Sequence, residues 1–237
     1  MILSPVSYDV IRINSLRRIK MNRLQYSCTA PLTHPVQVRG LWNESITLGS
    51  HNVDPTPSVR FGSINWSDIK LTNLGFLVRT SKYDLNSEAL NKLVHLAEEA
   101  SRFFLSIKHV FFIPPRDSTS KLTEEIGRAV SRTLGISNFK PALNWDEFEW
   151  FQKGDSINQI KNNFYDQFNV SNSPSRSVTR FQGRPDPEHR ILIVDDTVWS
   201  GSTLNLATLY RQYVDGPSVT SIFVLTEVLS MGDIGNA

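Results

Sequence analysis

Residues 190–204 read RILIVDDTVWSGSTL: four apolar residues run into two carboxylates and then a hydroxyl-rich turn around one glycine. Ile191, Leu192, Ile193 and Val194 are contiguous and mostly β-branched, the pattern of a strand buried on both faces of a parallel sheet. Asp195 and Asp196 then fall at the carboxyl end of that strand, the edge at which open α/β sheets bind ligands. The next helix starts there as well, with backbone N–H groups that lack an intrahelical acceptor, and Ser200, Gly201, Ser202 and Thr203 complete a cradle suited to a phosphate. Taken alone, the same residues also fit an acidic pair that caps a helix beside an ordinary turn.

The stretch resembles the phosphoribosyl diphosphate (PRPP) loop of the type I phosphoribosyltransferases, in which an apolar strand leads into two acidic residues, three variable positions and Thr-Gly-x-Thr. Here the residues are Asp195-Asp196-Thr197-Val198-Trp199-Ser200-Gly201-Ser202-Thr203, with serine for the first threonine, which keeps the hydroxyl. The resemblance implies that Asp195 and Asp196 hold the ribose hydroxyls as the catalytic pair, and that residues 195–203 bind PRPP. It also implies Mg2+ held mainly through PRPP, and a nitrogen acceptor, a nucleobase or another group, that displaces diphosphate. Two other acidic patterns fit less well. A haloacid-dehalogenase motif needs an aspartate where Thr197 stands, and a response-regulator pair lies near the start of its domain rather than near the end.

A chain of 237 residues is long enough for one large domain with a real core. Its 25 Lys and Arg against 23 Asp and Glu leave a net charge of +2, which is no general nucleic-acid signature. Arg12, Arg17, Arg18, Lys20 and Arg23 nevertheless form a local basic cluster, which keeps nucleic acid open as a partner. Cys28 is the single cysteine, so neither an internal disulfide nor a cysteine-built zinc site forms, in keeping with a reducing compartment. No apolar run is long enough to span a bilayer and no signal-peptide order is visible, so we expect a cytoplasmic protein without membrane contact. A homo-oligomer stays open.

Prolines at 5, 31, 35, 55 and 57 interrupt the first 57 residues, which read as an irregular extension. Val59–Trp66 and Leu74–Tyr83 have the β-branched and aromatic content of strands, so a β-containing N-terminal extension is expected, either as a β-rich lobe or as strands added to an edge of the core sheet. His34, His51 and His95 are isolated and read as packing or surface residues. Asn86 offers an N-cap for an amphipathic helix through Phe104, with Leu90, Leu93, Val94, Ala97 and Ala100 on one face. His109–Ile113 is a buried strand. The segment after it holds Pro115, Arg116, Ser118, Thr119, Ser120 and Lys121, and in the family this loop contacts the diphosphate, which makes Pro115, Arg116 and Lys121 candidate ligand contacts.

Leu122–Leu134 reads as a helix ended by Gly135, and Lys140–Trp145 as a short strand. The βαβ rhythm predicts a parallel sheet. Gln152, Asn163 and Phe168 resemble the register of the competence-protein ComF branch, with Ile160 where an arginine is usual. Asn169–His189 reads as a loop, residues 203–213 as a helix and Val219–Leu229 as the last strand. The expectation is an α/β fold of type I phosphoribosyltransferase kind, a parallel twisted sheet with helices on both faces. It spans residues 58–237, with its core at 86–229, behind the extension of residues 1–57. Three functions follow from the resemblance: a phosphoribosyltransferase, a non-catalytic module that senses PRPP or a nucleotide, or a ComF-like protein that handles nucleic acid.

Overall fold

The computed structural model describes residues 40–54, 69–116, 120–170 and 186–228. Expectations for residues 1–39, for Val59–Trp66, for Ser118 and Thr119, and for the arginine-bearing loop before Asp186 lie outside these residues.

The apolar run of the opening stretch forms the middle of β4 (Asp186–Val198), the central strand of a five-stranded sheet. On one side β4 pairs with β5 (Ser218–Glu227), which in turn pairs with β1 (Glu44–Ser50). On the other side it pairs with β2 (His109–Phe112), which pairs with β3 (Phe139–Pro141). All four pairings are parallel, as the βαβ rhythm predicts, and the order is β1-β5-β4-β2-β3. The chain leaves β2 for β3 on one side and returns to β4 on the other. The order of the strands therefore reverses between β2 and β4, and a crevice opens beyond their carboxyl ends.

Alternation along the strands builds two cores. Ile191 and Ile193 of β4, Phe111 of β2 and Ile222 and Val224 of β5 pack on one face with α4 (Ile157–Gln167) and α5 (Ser202–Asp215), through Ile160, Phe164, Leu206 and Leu209. Leu192, Val194, Val110, Phe223 and Leu225 pack on the other face with α1 (Asn73–Tyr83), α2 (Ser87–Ser101) and α3 (Leu122–Thr133). The helix ends follow their local chemistry. The Asn86 side chain accepts from the Ala89 N–H, as expected of the N-cap of α2. Gly135, at φ 69°, follows α3, with the Ile136 N–H donating to Ser131 C=O (2.9 Å) and the Gly135 N–H to Arg132 C=O (3.1 Å), a Schellman ending.

Several expectations are corrected. Asp186–His189 are not the end of a loop but the start of β4, and the strand expected at Lys140–Trp145 is β3, which ends at Pro141, with a 3-10 turn from Trp145. Residues 44–50 are not irregular: they form β1, hydrogen-bonded to β5, so the sheet begins well before residue 86. Its sequence, ESITLGS, has no continuous apolar run to announce a strand, yet its last five residues are buried. Leu74–Tyr83 is not a strand but most of α1. Its β-branched and aromatic content is overridden by tertiary packing: Leu74, Leu77, Val78 and Ser81 recur at helical spacing, Val78 is buried, and the Thr72 Oγ1 caps the helix by accepting from the Gly75 N–H (2.9 Å). Finally, β4 does not end at Val194. It stays paired with β5 through Val198, so both aspartates belong to the strand itself.

Candidate functional site

Because Asp195 and Asp196 are consecutive strand residues, their side chains leave opposite faces of the sheet. Asp195 continues the Ile191–Ile193 face, toward α4 and α5. Asp196 continues the Leu192–Val194 face, where Lys82 near the end of α1 places its Nζ 2.5 Å from the Asp196 Oδ2. The Asp196 N–H donates to the Asp195 Oδ1 (2.8 Å). Both carboxylates are buried, at 8% and 6% exposure, in the wall of a cavity of about 590 Å3.

α1 is held over this cavity by its first turn. The Thr72 Oγ1 donates to Ser50 C=O (2.6 Å) and the Thr72 N–H donates to His51 C=O (3.1 Å), which fastens the helix to the end of β1. Gly75 permits the approach: a Cβ there would lie 2.0 Å from the His51 carbonyl oxygen. Two turns on, Arg79 and Lys82 share a face that lines the cavity. Nothing local in the sequence announces this pair, because the helix carrying it reads as a strand. Helical spacing, had it prevailed, puts the two cations one turn apart.

His51, set aside as an isolated histidine, also lines the cavity, and its Nδ1 lies 3.1 Å from the Thr226 Oγ1. The Thr226 hydroxyl donates to Asp196 C=O (3.3 Å) and lies 3.1 Å from the Thr197 Oγ1. With its one proton used on Asp196, the Thr226 oxygen accepts from the Thr197 hydroxyl and from an Nδ1–H of His51. Burial first, and Lys82 and Arg79 after it, push the His51 pKa down to about 4 against the pull of Asp196, so the ring is neutral.

The carboxylates differ electrostatically. Burial, and then the charge of Asp196, push the Asp195 pKa up to about 7, with Lys82 opposing. Burial works against the charge of Lys82, but the charge of Asp196 and the hydrogen bond to it outweigh burial and hold the ammonium above its ordinary pKa.

Past Val198, the turn Trp199–Gly201 leads into α5, whose N-cap Gly201 adopts φ 73°, ψ 3° and leaves the first-turn N–H groups without a side-chain cap from that residue. Thr197, Val198, Trp199, Ser200, Gly201, Ser202 and Thr203 all line the cavity. Three of their hydroxyls are occupied: Thr197 Oγ1 by Thr226, and Ser200 Oγ by donating to Ser202 Oγ (3.1 Å), which also accepts the Gly154 N–H (3.0 Å); the Ser200 Oγ in turn accepts from the Ser202 N–H (3.4 Å). The segment before α4 is thus docked on the turn, with Lys153 at the cavity wall.

The loop after β2 is brought to the same cavity by Pro115 and Arg116, but Arg116 is engaged. Its Nη2 donates to Phe151 C=O (2.9 Å), and its guanidinium sits over the Trp145 ring at 4.7 Å. Lys121 is exposed just ahead of α3 and is not among the residues lining the cavity. Gln152 and Asn163 are exposed and Phe168 is half-buried against the α4–α5 core, whereas Ile160, at the arginine position of the ComF pattern, is fully buried.

The arrangement can accept ligand hydroxyls on the paired carboxylates and hold an anion between the α5 N-terminus and the cations of α1. Among the described residues no group of three His, Cys, Asp or Glu side chains gathers to hold a metal, and no helix is long and apolar enough to cross a membrane. No protein-family model matches the chain, and no curated protein matches it.

Proposed function

We propose that the protein is a phosphoribosyltransferase of the type I family, transferring the ribose 5-phosphate group of PRPP to a nitrogen acceptor with release of diphosphate. The observation that carries this reading is the buried Asp195–Asp196 pair at the end of β4, on the edge where strand order reverses, followed within a short turn by the open N-terminus of α5. In this reading the 5-phosphate lies on the first-turn amides of α5 and displaces the Ser200 Oγ from its contacts with Ser202, with the Ser200 and Thr203 hydroxyls then beside it. The ribose hydroxyls donate to Asp195 and Asp196. As the bond to diphosphate lengthens, the ring gathers positive charge, and carboxylates fixed in a buried wall stabilise it without reorganising. Thr226 and Thr197 hold the backbone at Asp196, and Trp199 covers the loop at the cavity wall.

One oxygen of each aspartate is already engaged, which fits Mg2+ held chiefly by PRPP oxygens rather than by a protein cage. Bound there, the ion supplies Lewis-acid polarisation of the leaving diphosphate. The test is calorimetric titration of PRPP, with ribose 5-phosphate as control, into the wild type and the Asp195→Asn/Asp196→Asn variant, followed by a screen of acceptors for diphosphate release. Binding that the double variant loses supports the site; equal binding by both proteins, or none by the folded wild type, removes it.

A second reading is a module that binds PRPP or a nucleotide without chemistry. The engagement of Arg116 by Phe151 and the distance of Lys121 from the cavity favour it, since both leave the β2 loop short of cations for a leaving diphosphate. PRPP binding with no diphosphate release across the acceptor screen distinguishes it. The ComF-like reading rests on the register of Gln152, Asn163 and Phe168, with the basic cluster at residues 12–23 as its pointer to nucleic acid, and salt-dependent DNA binding tests it.

A further inference from the structure

Two buried carboxylates are an unfavourable wall for a ligand that is itself polyanionic. Unlike charges must intervene, either brought with the ligand as a divalent ion or supplied by the protein. The protein holds such a charge in place. Lys82 reaches from α1 to within 2.5 Å of the Asp196 Oδ2, with its side chain 30% exposed and lining the cavity. An ammonium carries three donors, and a carboxylate contact of this kind uses one, which leaves two to offer to a ligand in the cavity that Lys82 lines. Arg79, one turn earlier on the same helix, adds a second cation to that wall. The position is fixed by the backbone: Gly75 against His51 and Thr72 on Ser50 set the height of α1 above the sheet, and Lys82 follows from it.

Building on the reading of the site as one for PRPP, we propose that Lys82 is a tethered cation that bridges Asp196 and the oxygens of the bound phosphoribosyl ligand, so that binding, as distinct from transfer, does not depend on Mg2+. Lys82 is a positioning residue here: it neutralises Asp196 and orders the ligand oxygens and takes no part in bond making. A purely structural ion pair between α1 and β4 would affect stability and leave the metal dependence of binding where it was.

The experiment is titration of PRPP into the full chain, in EDTA and in millimolar Mg2+, for the wild type and for Lys82→Gln and Lys82→Arg. Glutamine retains a hydrogen-bond donor toward Asp196 without the charge, and melting curves verify that each variant is folded. We expect the wild-type affinity to change by less than about threefold between the two conditions, and the Lys82→Gln affinity to fall about tenfold or more in EDTA and recover in Mg2+, the scale of one charge-assisted contact. Lys82→Arg should bind as the wild type does. Wild type that binds only with Mg2+, or a Lys82→Gln variant with the same Mg2+ dependence as wild type, overturns the inference while leaving the PRPP site standing. Absence of PRPP binding by the folded wild type in both conditions overturns the site itself, and the inference with it.

Discussion

The two faces of the sheet are built differently, and the difference reaches the ends of Asp195 and Asp196. The face toward α4 and α5 is aromatic: Phe111, Phe148, Phe151 and Phe164 are fully buried, with Tyr210, Tyr213 and Phe168 packed against them. The face toward α1, α2 and α3 is largely aliphatic, built on Ile46, Leu48, Leu93, Ile126 and Leu192. On the aromatic side the carboxylate of Asp195 is buried without, among the described residues, an ion pair of the kind Asp196 has, and its pKa rises. On the aliphatic side a helix delivers Lys82 to Asp196. Neighbours one residue apart thus obtain opposite electrostatic roles from the pleat alone.

The largest expected effect tests whether the aromatic side is the stiffer scaffold. Phe164 is fully buried and stacks near Phe148 and Phe168, anchoring α4 against α5. Phe164→Ala should cost about 3–5 kcal/mol in urea unfolding, read as a lower midpoint at unchanged slope. Because the segment ahead of α4 is docked on Ser202, PRPP affinity should drop as well. A stability loss with undiminished affinity would show that the aromatic side does not support the loop.

Acidity acts next on two groups of the cavity wall, His51 and Asp195, with opposite signs. His51 has its pKa lowered from 6.5 to about 4, so the unfolded chain takes up its proton first as pH falls. Its contribution is therefore complete above about 6.5 and lost on the way down to about 4, amounting to about 3 kcal/mol. Asp195 is raised from 3.8 to about 7, so its burial costs nothing below the lower value and most above the upper one. Melting temperatures across this range should show His51→Asn removing an acid-side loss, and Asp195→Asn gaining on wild type as pH rises. Parallel curves for wild type and either variant would break the assignment.

A smaller effect tests the ion pair. Lys82→Met leaves Asp196 charged and buried, whereas Asp196→Asn leaves a lysine that is 30% exposed and can reach water. The first should cost about 1–3 kcal/mol and the second distinctly less, a discount from a fully buried pair because Lys82 is partly solvated. Equal losses in chemical denaturation would mean that Asp196 is less buried in solution than this geometry requires.

How much of this could be read in the sequence also divides by side. Ile191–Val194, the acidic pair and Gly201 announce β4 and the start of α5 through local chemistry: β-branched contiguity, spacing, and a glycine where the backbone takes a left-handed turn. The α1 side is silent. Lys82 meets Asp196 across a long stretch of chain, its helix has the composition of a strand, and β1 lacks an apolar run, so nothing local signals that either belongs to the sheet or the site. Arg116 and Lys121 show the converse: residue types suited to an anion at a strand's end say nothing of a competing carbonyl at Phe151 or of a side chain directed to solvent.

The finest form of the comparison lies in the two helix starts that flank the cavity. α1 is closed by its own N-cap, since Thr72 accepts from Gly75 and also donates to Ser50. α5 begins at Gly201, which itself offers no side-chain cap, and the Ser202 N–H reaches the Ser200 Oγ only at 3.4 Å. Thr72→Ala should therefore cost about 1–3 kcal/mol of stability, through the lost cap and the lost hydrogen bond to Ser50 together. Gly201→Ala forces an L side chain into a left-handed backbone and should cost about 1–2 kcal/mol. The two losses are similar, but their functional consequences are not. At α1 the Thr72 N–H on His51 C=O and the close approach of Gly75 to His51 still hold the helix and Lys82 in place, so ligand affinity should fall less than at α5 at constant temperature well below melting. At α5 any relaxation of Gly201 turns the first-turn N–H groups away from the cavity, so PRPP affinity should fall even where the protein remains fully folded. Paired unfolding and calorimetric titrations of the two variants decide it: equal affinities would mean that the start of α5 is an ordinary helix end rather than an anion seat.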